Sequence, residues 1–247
     1  NQSQRKNFYD AKILQLKEEK KIYPCFETQE ELQLKRKTLL SSGLPPIYDR
    51  SSLKLSHADI ETRIKNGEKH HWRYKIENEI IEWKDLIKGK ISFDSKNLSD
   101  PILIREDQTP LYHLPSVIDD IQEDITDIIR GEDHITNTAF HIQLFKSLGA
   151  NVPNFGHHPL LTDSDGKSLG KRLNSLSIDQ LLEEDFESLT LINYLLTIGT
   201  SKNLSSEKNI DKLIEDFDIN SLNVSSPKFS IDILKILNKN ILQSFDF

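Results

Sequence analysis

Methionine is absent from all 247 residues of this chain, and the first residue is Asn1. A sequence without an initiator reads as one that starts inside a longer polypeptide. The missing internal methionines carry no functional reading of their own. Cysteine is nearly absent as well. One residue, Cys25, excludes an intrachain disulfide framework and fits a reducing, cytoplasmic setting. No apolar run approaches the ~20 residues of a membrane-spanning helix, and the start lacks the pattern of a secretory signal. No membrane partner is expected. Positive charge is not in excess, since the net charge is −7. This excludes a global attraction to nucleic acid, but not a local basic face, which is what phosphate contacts need.

What is present fits a soluble globular chain. Hydrophobic residues make up 36% and charged residues 29%, enough for a sizeable core. The length allows one large domain or two to three small ones. Apolar spacing predicts a helix over 7–22 and a second from Gln29 to Leu40. Thr28 is the expected N-cap of the second, and Glu31 the other half of a capping box. Residues 72–93 alternate like strands, broken at Lys88-Gly89, and Ile102–Ile104 is another strand. From Ile178 onward the pattern is helical, with Gly199 as one terminator.

The run from Tyr112 to Thr138 is the most informative. Leu114, Val117, Ile118 and Ile121 recur at helical spacing. Ile125, Ile128 and Ile129 form a β-branched run, Arg130-Gly131-Glu132-Asp133-His134 follows, and a second helix starts near Thr136 and ends at Gly149. A strand is expected at Phe155–Leu161. This is a helix–strand–turn–helix unit with a polar cluster where the strand ends, the place where open α/β sheets bind ligands.

At these residues, "YHLPSVIDDI" and "IIRGEDHITNT", the chain resembles the bacterial glutamyl-tRNA synthetases, which are class I aminoacyl-tRNA ligases. Asn1–Arg5, Tyr23–Leu32, Gly43–Arg50, Leu98–Asp107 and His158–Arg172 have counterparts in the same order. The resemblance implies an α/β fold: the second half of a Rossmann-like nucleotide-binding fold, carrying a mixed α/β insertion and followed by an α-helical stem-contact domain. It divides the chain into 1–22 (end of the first half-fold), 23–107 (acceptor-stem-binding insertion), 108–162 (second half-fold) and 163–247 (a loop like the family's KLSKR element, then the helical domain). In the family, the HIGH element precedes the stretch matched here and the anticodon-binding region follows it. The resemblance therefore implies an internal portion of a synthetase, inactive by itself.

The same resemblance assigns site residues. Arg130 takes the place of the arginine that pairs the glutamate side-chain carboxylate. A guanidinium does this bidentately and stays charged. The alternative for Arg130 is a surface ion pair with Asp127 or Asp133. Tyr112 takes the place of the pocket tyrosine, and His134 is expected to line the pocket. Gly131 and Asp133 are expected at ATP, although an acidic residue at a helix start also suits its dipole. Gly166-Lys-Ser-Leu-Gly-Lys-Arg172 resembles the KLSKR loop, which neutralises the ATP phosphates. Lys171 is its key lysine. The first lysine position is Ser168 here, and Lys167 could supply the lost charge.

Lys35, Arg36, Lys37 and Arg73 concentrate positive charge in the insertion and are expected to contact tRNA. Aromatic residues such as Trp72 are interleaved nearby. Magnesium would accompany ATP. Zinc is not expected, because Cys25 has no cysteine partner, and His70-His71 and His157-His158 are adjacent pairs. The expected function is ATP-dependent activation of glutamate and its transfer to tRNA(Glu), by a monomer in the cytoplasm. The alternatives are an enzyme like glutamyl-queuosine tRNA(Asp) synthetase, and a catalytically degenerate paralogue that only binds tRNA.

Overall fold

The computed structural model describes residues 2–167, 169, 177–200 and 206–245. Helix α1 (Lys6–Glu18) buries Tyr9, Ile13 and Leu16, a stripe of period three to four. It stops earlier than the sequence predicts. Glu18-Glu19-Lys20-Lys21 offers that stripe nothing to bury, and Lys20 turns into left-handed backbone at φ 55°. Ile22, expected in the helix, opens strand β1 (Ile22–Cys25) instead and pairs with Tyr74.

Helix α2 (Gln29–Ser41) starts at the predicted capping box. The Glu31 N–H donates to Thr28 Oγ1 at 3.2 Å, and the Thr28 N–H donates to Glu31 Oε2 at 2.8 Å. Ser56 and Asp59 make a second box before α3 (His57–Lys65). Strands β2 (His71–Tyr74), β3 (Ile80–Asp85), β4 (Gly89–Asp94) and β5 (Ile102–Ile104) follow. The break expected at Lys88-Gly89 is the turn between β3 and β4, with Gly89 at φ 74°. Then come α4 (His113–Gln122), β6 (Asp127–Gly131), α5 (Ile135–Ser147) and β7 (Asn154–His158). The helical remainder is α6 (Ile178–Glu183), α7 (Ser188–Thr197), α8 (Ile210–Glu215) and α9 (Ile231–Gln243). β1, β2 and β5 form an antiparallel sheet, while β3–β4 and β6–β7 are two-stranded.

The chain divides into two compact units. One comprises 1–83, 90–128 and 136–154; the other comprises 84–89, 129–135 and 155–247. In the first, Leu16, Tyr74, Leu103, Leu114, Leu144 and Phe145 are almost completely buried. Its polar node is Asp100, whose side chain is fully buried. Asp100 accepts from Tyr23 at 2.6 Å, from Arg50 at 2.7 Å and from the Ile76 N–H at 3.0 Å. Three of the stretches that carry the resemblance therefore meet at one buried carboxylate. In the second unit, Leu181, Phe186, Leu191, Tyr194, Leu234, Leu237 and Ile241 form a cluster. Leu234, Leu237 and Ile241 lie on one face of α9, and the Tyr194 hydroxyl accepts from the Ser230 N–H at 2.8 Å.

His71 gives the first unit an acid-sensitive point. It is 5% exposed, and its Nε2 has no hydrogen-bond partner. Burial, helped by the Arg73 charge and opposed by Glu27, pushes its pKa down from 6.5 to about 4. The unfolded chain takes up this proton at higher pH than the folded one. Stability is thus fully present above the unfolded value and is lost as pH falls towards the folded value. His71→Phe should remove roughly 2–3 kcal/mol of the stability lost between about pH 7 and about pH 4.5, measured by urea unfolding. Glu27 does not blur the result. Burial works to raise its pKa, but hydrogen bonds from Ser51, Tyr48 and Ser52 outweigh that and hold it at about 2, so its loss comes at lower pH.

Candidate functional site

Strand β6 ends on Gly131, and a single tight turn, Glu132–His134, leads into α5. Gly131 has an ordinary backbone angle, and its lack of a side chain leaves room for the side chains beside it. A Cβ there would lie 2.5 Å from Asp133 Oδ1 and 3.0 Å from a Leu160 methyl. One residue earlier, Arg130 is half-buried. Its Nε–H donates to His157 Nε2 at 3.4 Å, and its guanidinium lies 5.5 Å from the centre of the Phe155 ring. His157 and Phe155 both come from β7, and their rings are near-parallel at 6.3 Å.

Behind His157 stands Asp85, at the end of β3. Both side chains are fully buried, and Asp85 Oδ2 lies 2.5 Å from His157 Nδ1. Asp85 Oδ1 also accepts the backbone N–H groups of Ile87, Lys88 and His157 at 3.0–3.1 Å. Burial alone would raise the Asp85 pKa, but these hydrogen bonds outweigh it and hold the carboxyl ionised. Burial lowers the pKa of His157. The Asp85 carboxylate opposes this only in part, and the charges of Arg130 and His134 add to the lowering. The turn after β3 packs closely on β7 at Gly156. A Cβ there would meet an Ile129 methyl at 2.7 Å and Leu86 at 3.3 Å, and the Leu86 N–H donates to the Phe155 carbonyl at 2.8 Å. The same turn carries Lys88, which pairs with Glu132 at 2.6 Å and holds that carboxyl below its usual pKa.

The strand end thus brings together Arg130, Gly131, Asp133 and His134. Asp133 is exposed, and His134 Nε2 lies 3.9 Å from it. Tyr112 belongs to the first unit, where it precedes α4, is 54% exposed and meets the His113 ring edge-on. Lys167 is exposed in a turn at Gly166 (φ 80°), where its N–H donates to Asp163 Oδ1 at 2.8 Å. Ser168 and Lys171 lie outside the described residues.

The basic residues expected at tRNA are in the first unit. Lys35, Arg36 and Arg73 line a groove of about 690 Å³ beside α2. Arg36 and Lys37 are exposed. Lys35 lies within reach of Asp49, Ser51 and Glu27. Arg73 is only 8% exposed, lies 4.2 Å from the Tyr48 ring centre and donates to the Asp100 carbonyl at 2.6 Å. Most of its charge is therefore turned inward. Among the described residues, no group of three or more His, Cys, Asp or Glu side chains is placed to hold a metal ion.

The sequence analysis passed over Asp85, met Lys88 only as a break between strands, and weighed His157 only in a pair unsuited to zinc. His157 lies near the carboxyl end of a strand, the position that singled out Arg130, so its signal was present. For Asp85 no local signal exists, because its partner is 72 residues away.

The family model for class I (E and Q) tRNA synthetases, catalytic domain, matches residues 1–236. The chain belongs to that family. It is 46% identical over 247 residues to the glutamate–tRNA ligase of Azospirillum brasilense, covering 100% of this chain and 55% of that protein. It is 45% identical over 248 residues to glutamate–tRNA ligase 2 of Beijerinckia indica, with the same coverage. The chain therefore spans about half the length of the curated relatives it matches. The crystal structure of a glutamate-tRNA synthetase from Elizabethkingia anophelis superposes with a TM-score of 0.87 at 27% identity, covering 99% of this chain and 55% of that one. A glutamate tRNA ligase from Elizabethkingia meningosepticum, in complex with its amino acid, also superposes at 0.87, with 26% identity and coverage of 99% and 54%. The class I synthetase catalytic fold expected from the sequence is thus present. No helix among the described residues is long and apolar enough to cross a membrane.

Proposed function

We propose that this chain works in a glutamate–tRNA ligase, acting as a monomer in the cytoplasm. The observation that carries the proposal is Arg130, set at a strand end beside His157 and the Phe155 ring, in a chain whose relatives bear that name. In the first step an oxygen of the glutamate α-carboxylate attacks the α-phosphorus of ATP, and pyrophosphate leaves. In the second, a hydroxyl of the terminal ribose of tRNA(Glu) attacks the activated carbonyl, and AMP leaves. Arg130 pairs the side-chain carboxylate, Tyr112 donates a hydrogen bond to the amino acid, and His134 lines its pocket. Gly131 and Asp133 face the adenosine. Lys171, with Lys167, neutralises the phosphates.

Binding and charge stabilisation supply most of the catalysis here, since no residue forms a covalent intermediate. Magnesium would accompany ATP, and no zinc is expected. In the same proposal, residues 23–107 receive the acceptor stem and the helices of 163–247 contact the stem. Arg36 and Lys37 meet RNA phosphates at the rim of the groove, with Lys35 and Arg73 lining its wall.

The test is ATP–pyrophosphate exchange by the whole protein in the presence of tRNA(Glu), followed by charging of that tRNA. Exchange and charging are expected with glutamate and not with glutamine. Binding of tRNA without exchange would make the protein a degenerate paralogue. Exchange followed by transfer to tRNA(Asp) alone would make it an anticodon-modifying enzyme.

A further inference from the structure

We propose that Asp85 and His157 are positioning residues for Arg130, and that they set the affinity for glutamate by fixing the imidazole tautomer. The inference rests on the assignment of Arg130 to the glutamate carboxylate. Asp85 is an acceptor at both oxygens, so His157 carries its proton on Nδ1, which faces Oδ2 at 2.5 Å. Nε2 then presents a lone pair, and the Arg130 Nε–H donates into it at 3.4 Å. A guanidinium is planar, so fixing Nε, with Cζ held 5.5 Å from the centre of the Phe155 ring, limits the direction of its two-pronged edge. That edge is what grips a carboxylate bidentately. The burial that keeps the imidazole neutral serves the same end, because an imidazolium would turn a donor towards a donor.

The chain of contacts also explains why a buried ion sits in a hairpin turn far in sequence from the pocket. Asp85 holds the turn by the N–H groups of Ile87 and Lys88 and, through the same carboxylate, holds the ring behind Arg130. A structural role for Asp85 alone would need only the first half of this arrangement.

Asp85→Asn separates the two roles. An asparagine oxygen can keep the backbone N–H groups, but its amide then points N–H at His157 Nδ1. The ring must move its proton to Nε2, which opposes the Arg130 donor. In the whole protein, Asp85→Asn should raise the glutamate KM about tenfold and leave the ATP KM within about twofold. His157→Gln can still donate to Asp85 and accept from Arg130, so its glutamate KM should stay within about threefold of the parent, whereas His157→Phe should match Asp85→Asn. Nitrogen NMR of the histidine rings reads the tautomer without turnover. One ring should be Nδ1-protonated in the parent and Nε2-protonated in Asp85→Asn.

Unchanged glutamate KM in Asp85→Asn, or equal rises for both substrates, would overturn the positioning role. So would a His157→Gln variant as impaired as His157→Phe, or a parent ring protonated on Nε2. Arg130→Ala, run in parallel, keeps the two claims apart. If it raises the glutamate KM while Asp85→Asn does not, only the positioning role is lost. If Arg130→Ala itself has no effect, both are lost.

Discussion

Arg130→Ala in the whole protein should raise the glutamate KM roughly a hundredfold and leave the ATP KM nearly unchanged. The size follows from what is left behind. A substrate carboxylate drawn out of water loses its charged partner, which costs about 3–5 kcal/mol when the site is fully buried. Arg130 is half-buried, so the lower end applies, and about 3 kcal/mol is roughly a hundredfold in binding. Arg130→Lys should recover little of this. A lysine keeps the charge but lacks the planar fork and the Nε–H that meets His157. The measurement is the Michaelis constant of each substrate at saturating levels of the other. An equal rise for both would point to a general loss of the fold, and no rise for glutamate would remove Arg130 from the pocket.

Lys171→Ala should act on rate instead of affinity. Negative charge builds on the leaving pyrophosphate only as the bond to the α-phosphorus breaks, so a lysine aimed there binds the transition state more tightly than the ground state. Removing one such preorganised group typically costs about a hundredfold to a thousandfold in turnover. Lys171→Ala should therefore slow adenylate formation by about that factor while the ATP dissociation constant changes less than about threefold. Single-turnover kinetics in the presence of tRNA separate the two. Lys167→Ala shows whether the neighbouring lysine shares the load. If it does, both variants are slow. If only Lys171 matters, Ser168→Lys should speed activation. A normal rate in all three would show that the loop does not serve the phosphates.

The elements that carry the site were legible because their signals are local. The Thr28 hydroxyl and the Glu31 carboxylate each accept the other residue's backbone N–H, three residues apart, so a capping box can be read in one glance. The helix–strand–turn–helix from Tyr112 to Thr138 was marked by changes of apolar period and appears as α4, β6 and α5. Where competing signals overlapped, the end of an element was misjudged. Ile22 continues the apolar content of α1, but pairing with Tyr74 across the sheet buries it at 3% exposure, and strand geometry wins.

Residue type and order determined the family, the family's fold and the identity of Arg130 as a candidate, because a motif is a property of the chain read in one dimension. Which way the Arg130 guanidinium is held was decided only by tertiary structure. Asp85, His157 and Arg130 come from three strands, and the buried contact that links the first two spans 72 residues. Arg73 shows the converse. In sequence it is one more cation in a basic stretch, but the packing of β2 turns it onto Tyr48 and the Asp100 carbonyl. Charge can be counted along a chain, whereas the side of a strand that faces water depends on what the rest of the fold puts against it.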